Sequence, residues 1–190
     1  MKKIIAPGIC LRAFETQDAE QFTATVLESV PTVGRWMSWC HAGFTIEATH
    51  EWFEVCKLGR TEGTAYEFGI FTEDGKELLG ACGLNLISKM HNYCNLGYWI
   101  RQSKQGQGIA TRVARILVEA GFKQLGFNRI EIVVAEGNEL SMQVARKLGA
   151  LHECTARNRL MVGGLPAAAS IYSLVPQEWP ALPYQIIIES

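Results

Sequence analysis

The stretch KQGQGIAT, Lys104 to Thr111, sets two glycines one residue apart ahead of a long helical pattern. A helix start exposes unpaired backbone N–H groups and the positive end of the helix dipole. Glycine lets a phosphate approach that backbone closely. The stretch therefore suits an anionic ligand, although a tight turn into a helix with no ligand would use the same residues. Two known phosphate loops fit poorly. A P-loop needs Gly-x-x-x-x-Gly-Lys-Ser/Thr, which is absent. A dinucleotide fingerprint needs a third glycine where Thr111 stands. It also opens its domain, whereas roughly a hundred residues precede this loop.

A second polar cluster, Asn138-Glu-Leu-Ser141, opens another helical pattern about thirty residues on. Asn138 suits an N-cap, which places Ser141 in the first turn. The six cysteines stand at 10, 40, 56, 82, 94 and 154, with no Cys-x-x-Cys among them. His91 and Cys94 are too few ligands for a metal, so no metal site is expected.

The elements that position these groups follow from hydrophobic periodicity. Ile9 to Phe14 reads as a strand, and Thr16 to Ser29 as a helix with acidic residues near its start. VGRWMSW is a short helix or loop. Thr45 caps a helix over about Glu47 to Leu58, with Trp52, Phe53 and Val55 facing inward. AYEFGIFTEDGKELLGACGLNLI makes two strands around the turn Glu73–Lys76, and NYCNLGYWI a third, which together form an antiparallel meander. After the glycine loop, Ile109, Val113, Ile116, Leu117 and Ala120 share one helical face, opposite Arg112, Arg115, Glu119 and Lys123. RIEIVVA is a buried strand. Leu140, Val144 and Leu148 line the next helix, closed by Gly149. Strands near Leu151–Thr155 and Ala168–Leu174 complete the order. Strands, helix, strand, helix, strands suit an α+β fold, an α/β sandwich whose mixed, mostly antiparallel central sheet is flanked by helices.

The totals narrow the class. At 190 residues the chain suits one domain over 1–190, large enough for a core without disulfides. Apolar residues at 48 % and charged residues at 19 % fit a globular protein. A formal net charge of −1 argues against a nucleic-acid or polybasic membrane binder. The opening MKKIIAPGIC is too short an apolar run for a secretion signal and is interrupted by Pro7 and Arg12. Scattered cysteines suit a reducing compartment, so a cytoplasmic protein is expected.

The run from Gln105 to Ala110 has the form Gln/Arg-x-x-Gly-x-Gly/Ala, between a strand ending GYWI and an amphipathic helix. It resembles the acetyl-CoA loop of the GNAT superfamily of N-acetyltransferases. EGNELSMQVARKLGA is similar to that superfamily's Asn-x-x-Ser and the helix ending Lys-Leu-Gly. Within the superfamily the chain is most similar to the Rim-type ribosomal-protein N-terminal acetyltransferases, through Leu11-Arg12, Trp36-Met37-Ser38-Trp39, LGYWI, GIAT and YSLVPQEW.

The resemblance implies a GNAT fold and transfer of acetyl from acetyl-CoA to a primary amine, directly and without an acyl-enzyme cysteine. The acceptor it implies is the N-terminus of a ribosomal or other protein, with no nucleic acid or membrane as partner; a homodimer is left open. A small amine such as an aminoglycoside or polyamine, or a silent acyl-CoA-binding module, remains the alternative. Gln105, Gly106, Gln107, Gly108, Ile109, Ala110 and Thr111 would hold the pyrophosphate. Tyr98, Trp99 and Ile100 lie on the strand that pairs with the pantetheine arm, and one N–H there would be the oxyanion donor. Strand neighbours face opposite ways, so Tyr98 and Trp99 divide between ligand and core. Asn138 is N-cap or ligand contact. Ser141 is the candidate to protonate the leaving thiolate, and Tyr172 is its rival or a packing residue. Related sequences often carry glutamate where Asn95 stands, and asparagine cannot accept a proton at neutral pH. The base is then Glu67 on the earlier strand, or a water chain. Trp36, Trp39, Phe44 and Trp52 are core, or they wall the acceptor site.

Overall fold

A left-handed Gly8, at φ 71°, turns the N-terminal segment back on itself as a hairpin of β1 (Lys3–Ala6) and β2 (Ile9–Arg12). The sequence reading has only one strand there, over Ile9–Phe14. The structure adds β1, whose apolar side chains Ile4 and Ala6 are buried and whose turn at Pro7-Gly8 separates it from β2. These features describe the computed structural model, in which residues 1–180 and 182–189 are described. One 3-10 turn, Thr16–Asp18, leads into α1 (Ala19–Ser29). Asp18 anchors that turn by accepting from both Arg12 Nη1 (2.6 Å) and Nη2 (2.7 Å).

Helix α2 (Ile46–Glu62) starts where Thr45 Oγ1 accepts from Ala48 N at 3.3 Å and stops at left-handed Gly63. The meander follows as β3 (Tyr66–Phe71), β4 (Leu78–Ser88) and β5 (Tyr93–Ile100). Then come α3 (Ile109–Lys123), β6 (Arg129–Ala135) and α4 (Glu139–Leu148). A long hairpin, β7 (Leu151–Val162) and β8 (Leu165–Leu174), precedes β9 (Ile187–Glu189). Among the described residues nine strands form one sheet in the order β7-β8-β6-β5-β4-β3-β2-β1-β9. Every neighbouring pair is antiparallel except β5 and β6. The C-terminal tail thus supplies an edge strand against β1.

Helices cover both faces. Val113, Ile116 and Leu117 of α3 and Ala145 and Leu148 of α4 pack with Phe68, Ile70, Leu84 and Leu96 on one face. Phe22 and Val26 of α1 and Phe53 of α2 pack with Phe71, Leu78, Ala81 and Trp99 on the other. The mixed, mostly antiparallel sheet between helices is the expected GNAT sandwich.

Three helix-face readings need correction. On α2 only Phe53 of the expected trio is core; Trp52 is 37 % and Val55 57 % exposed. The buried stripe is Thr49, Phe53, Cys56 and Gly59, and Trp52 and Val55 fall to one side of it. On α4, Leu140 is 72 % exposed, because the inward phase runs Met142, Ala145, Leu148. Glu119, read as a solvent-facing residue of α3, is buried and accepts from Trp179 Nε1 at 2.8 Å.

Candidate active site

The parallel pair β5–β6 is joined over only three residues, Tyr93 to Asn95 against Arg129 to Glu131. Both strands continue beyond that point, so the second half of β5 has a partner on its β4 side alone. A strand's N–H and C=O groups alternate sides along an antiparallel ladder. Arg101 N donates to Leu79 O of the preceding pair, at 2.9 Å. By that alternation Tyr98 and Ile100 turn their N–H groups into the gap between β5 and β6. Such an unpaired edge, buried on both faces of a sheet, calls for an extended partner carrying amides of its own.

At the end of β5 the glycine loop is held open by its base. Gln105 Nε2 donates to Ile100 O at 2.8 Å and to Thr32 Oγ1 at 3.1 Å. Glu28 takes Arg101 Nε at 2.6 Å and Ser103 N at 2.9 Å. Gly106 and Gly108 both lie at φ 76°, where a side chain would strain the backbone. A Cβ on either would meet nothing within 4 Å. The amides of Gly106 through Thr111 have no acceptor within the chain among the described residues. Six free N–H groups, open space and the start of a fifteen-residue helix make a cradle for phosphate oxygens. Through its bonds to Ile100 and Thr32 the Gln105 side chain braces the base of the loop.

On the same face of the sheet as α3, Tyr98 reaches α4. Its hydroxyl lies 3.0 Å from Ser141 Oγ and donates to Ser141 O at 3.3 Å. Burial pushes the Tyr98 phenol up to about 12, so it stays protonated. Asn138 Oδ1 accepts from Ser141 N at 3.3 Å, which is the N-cap role. The resemblance places Tyr98 on the strand along the pantetheine arm; its hydroxyl at Ser141 is a further link that sequence order does not signal. Tyr172 is buried on β8 against His152, ring centroids 5.1 Å apart. It lines a separate cavity of ≈ 400 Å³ with Met142, Arg146 and Ser170, and shares no hydrogen bond with Ser141, Tyr98 or Glu67.

The opposite face carries the carboxylate. Glu67, Gly83 and Gly97 form one row across β3, β4 and β5. A Cβ on Gly83 would sit 2.0 Å from Glu67 Oε2, so the carboxylate lies flat over the glycine toward β5. Asn85 Nδ2 donates to Glu67 Oε1 at 2.8 Å, and Asn95 Nδ2 to Asn85 Oδ1 at 2.8 Å. Asn95 Oδ1 is buried without a partner. Arg60 Nη2 donates to the Glu67 carbonyl from the far side. Desolvation raises the Glu67 pKa, and the Asn85 hydrogen bond and Arg60 oppose it. A carboxylate raised toward neutrality, fixed in place and facing a cavity has the properties of a general base.

That cavity, ≈ 460 Å³, is walled by Phe14, Phe22, Trp39, Phe44, Trp52 and Trp99, with Glu67, Asn85, Gly97 and Tyr98 also lining it. Trp39, Phe44 and Trp52 are therefore walls. Trp36 stands instead against the β6–α4 turn, 3.8 Å from where a Cβ on Gly137 would lie. Trp99 packs against Trp39 in this cavity while the Tyr98 hydroxyl reaches Ser141 on the other face, as strand alternation requires, although Tyr98 also borders the cavity. Five of the six cysteines are buried. Burial raises Cys56 and Cys82 strongly and pushes Cys94 up to about 12, which leaves no thiolate among them.

A sheet split beside an anion cradle, with a carboxylate on one face and a hydroxyl pair on the other, is the layout of an acyl-CoA-dependent transferase. The chain belongs to the Acetyltransferase (GNAT) domain family, whose model matches residues 9–151, and it is an acetyl-CoA-dependent acetyltransferase. It is 29 % identical over 172 residues to the N-acetyltransferase YdaF of Bacillus subtilis, across 90 % of this chain and 93 % of that protein. It is 34 % identical over 91 residues to the ribosomal-protein-serine acetyltransferase of Escherichia coli, 48 % of this chain and 50 % of that one. In fold it matches RimL, a ribosomal L7/L12 α-N-protein acetyltransferase solved with coenzyme A, at a TM-score of 0.83 and 22 % identity, over 90 % of this chain and 96 % of that chain.

Proposed function

We propose that the protein acetylates the N-terminal amine of a protein, of the ribosomal-protein type, by direct transfer. The observation that carries the chemistry is the Glu67 carboxylate laid over Gly83 in the floor of a cavity that also reaches Gly97 and Tyr98. The protein acceptor is supported by the relatives, one of which is a ribosomal-protein-serine acetyltransferase in Escherichia coli.

Acetyl-CoA, when bound, supplies an activated thioester. The amides of Gly106 to Thr111 would hold its pyrophosphate, and the unpaired edge of β5 at Tyr98 and Ile100 would pair with the pantetheine arm. Tyr98 N–H, turned into the gap, is the oxyanion donor. Glu67 accepts a proton from the incoming ammonium, whose ordinary pKa is about 8. On the other face Ser141, bonded to Tyr98, delivers its hydroxyl proton to the sulfur as the carbon–sulfur bond breaks; the nitrogen's second proton leaves to solvent, and solvent restores the Ser141 hydroxyl by way of Tyr98. Base and acid thus stand on opposite faces of β5, and the split in the sheet is the passage between them. Direct transfer needs no thiol nucleophile, and burial holds Cys56, Cys82 and Cys94 protonated.

An acceptor screen with thiol-release detection tests this reading. Peptides with free N-termini should release CoA thiol, and the same peptides with blocked N-termini should not. Turnover confined to polyamines or aminoglycosides would replace the protein acceptor with a small one.

A further inference from the structure

The cavity above Glu67 has more apolar surface than acetyl transfer needs. One side of α2 fills the core with Thr49, Phe53 and Cys56. The adjacent stripe presents Ala48, Trp52 and Val55 to the cavity, with Trp52 37 % and Val55 57 % exposed. Trp39, on the loop before α2, is 38 % exposed across from them. It is fixed edge-on by Trp99 at 5.5 Å and Phe44 at 6.3 Å. Aromatic surface held rigid and half-exposed in a concave site is a binding surface, because folding gains nothing by leaving it wet.

The polar complement is equally specific. Among the described residues no lysine or arginine lines this cavity, so a carboxylate or phosphate beside the amine finds no counter-charge. Its acids among the described residues are Glu67 and Glu51, and Glu67 is occupied by the proton transfer. Serine, the acceptor residue in the name of the Escherichia coli relative, would leave these aromatic walls uncovered, so the inference keeps that relative's protein amine and departs from it in the side chain beside the amine.

We infer that the acceptor amine is borne beside a large apolar group, an aromatic or long aliphatic side chain, which packs between Trp39 and the Trp52–Val55 stripe of α2. The inference rests on the transfer reading above and adds the chemical class of the acceptor. The group can belong to the first residue of a protein or to a free amine, since both present the same surface.

Burying one leucine- or phenylalanine-sized side chain predicts a preference of about ten- to a hundredfold in kcat/KM. The test uses wild-type protein, saturating acetyl-CoA and thiol release. One arm takes peptides identical except for Phe, Leu, Ser, Ala or Asp at position one. The other compares phenethylamine with ethanolamine. Phe and Leu peptides should exceed Ser, Ala and Asp peptides by that factor, or phenethylamine should exceed ethanolamine if free amines are the acceptors. In Trp39→Ala/Trp52→Ala, with CoA affinity checked by calorimetry, the apolar-to-polar ratio should fall toward one. Equal or better use of the Ser, Ala or Asp peptides by the wild type overturns the inference while leaving acetyl transfer intact. A ratio unchanged in the double variant overturns the assigned wall. Silence with every amine, while CoA still binds, sinks the transfer reading and this inference with it.

Discussion

The cofactor half and the acceptor half of this site are built in opposite ways. The first is nearly continuous in sequence: Tyr98, Ile100, the glycine loop and the first turn of α3 lie within fourteen residues, from Tyr98 to Thr111, with Asn138 and Ser141 added. Its selectivity comes from backbone amides, which any sequence of the right shape can supply. The second is gathered from Phe14, the loop at Trp39 and Phe44, one stripe of α2, Glu67 of β3 and Asn85 of β4. Its selectivity comes from side chains, each free to change without disturbing the loop. On the proposed function one half would fix the donor and the other would tune the acceptor, and damage to one should leave the other's ligand bound.

Removal of the Glu67 charge should have the largest effect. Glu67→Gln keeps the volume and the Asn85 contact but cannot take a proton. It should lower kcat by about 10²- to 10⁴-fold, the range for general acid–base catalysis, with CoA affinity unchanged. The same change should not destabilise the fold at neutral pH. The folded-state pKa of Glu67 is raised, so the folded protein holds a proton that the unfolded chain has lost. That stabilisation is present below the ordinary carboxylate pKa and is lost as pH rises through the raised value. Above this window the buried charge is a cost that glutamine removes. Retained turnover in a folded Glu67→Gln would pass the base role to water.

The mirror experiment breaks the cofactor half. Gly108→Val puts a branched residue at φ 76°, beside the amides that would hold pyrophosphate. Loss of one charge-assisted hydrogen bond corresponds to a tenfold or greater loss of CoA affinity, at about 1.5–3 kcal/mol. Gly108→Asn separates strain from obstruction, since asparagine tolerates the left-handed conformation. Binding by calorimetry should weaken more for Val than for Asn. Unchanged CoA affinity in folded Gly108→Val would show that the pyrophosphate lies elsewhere.

The same division explains what the sequence disclosed. The glycine loop, the strand before it and the helix after it are local, so their periods and turn residues could be read directly. The Asn138 cap and the hairpin at Glu73–Lys76 were legible for that reason too. Glu67 could be named only as one strand carboxylate among several, because its value depends on two glycines opposite it, Gly83 and Gly97, that pairing alone brings into register. Trp52 and Val55 misled because an apolar stripe that lines a cavity has the same spacing as one that fills a core. The Tyr98–Ser141 contact spans β5 to α4, and no spacing rule links those positions.

At the seam of the two halves the expected effect is smaller. Ser141→Ala removes one hydroxyl at 3.0 Å from Tyr98 and leaves the Asn138 cap to the backbone of residue 141 intact. A CoA thiolate leaves without full protonation, and Tyr98 remains nearby as a donor. The drop in kcat should be about tenfold, toward or below the low end of acid catalysis, with CoA affinity nearly unchanged, the pattern of an interaction made in the transition state. Ser141→Ala/Tyr98→Phe should cost more than the sum of the single changes if the two hydroxyls back each other up. If both single variants and the double variant keep wild-type kcat while Tyr172→Phe loses it, the proton comes from β8.

The smallest effect is a shift in pH dependence. Asn85 holds Glu67 by a 2.8 Å hydrogen bond that favours the charged form, opposing desolvation, the largest influence on that carboxylate. Asn85→Ala removes the favourable contact and leaves the desolvation, so the Glu67 pKa should rise further. The acid limb of kcat/KM reports the free enzyme's base, and it should therefore move to higher pH. At alkaline pH, where Glu67 is ionised in both proteins, the two rates should converge to within a few-fold. A merely structural role for Asn85 would instead lower kcat/KM by the same factor at every pH. An unmoved acid limb would detach Asn85 from the base. A limb moved to lower pH would mean that Asn85 holds the protonated form, and would reverse the sign of the contact.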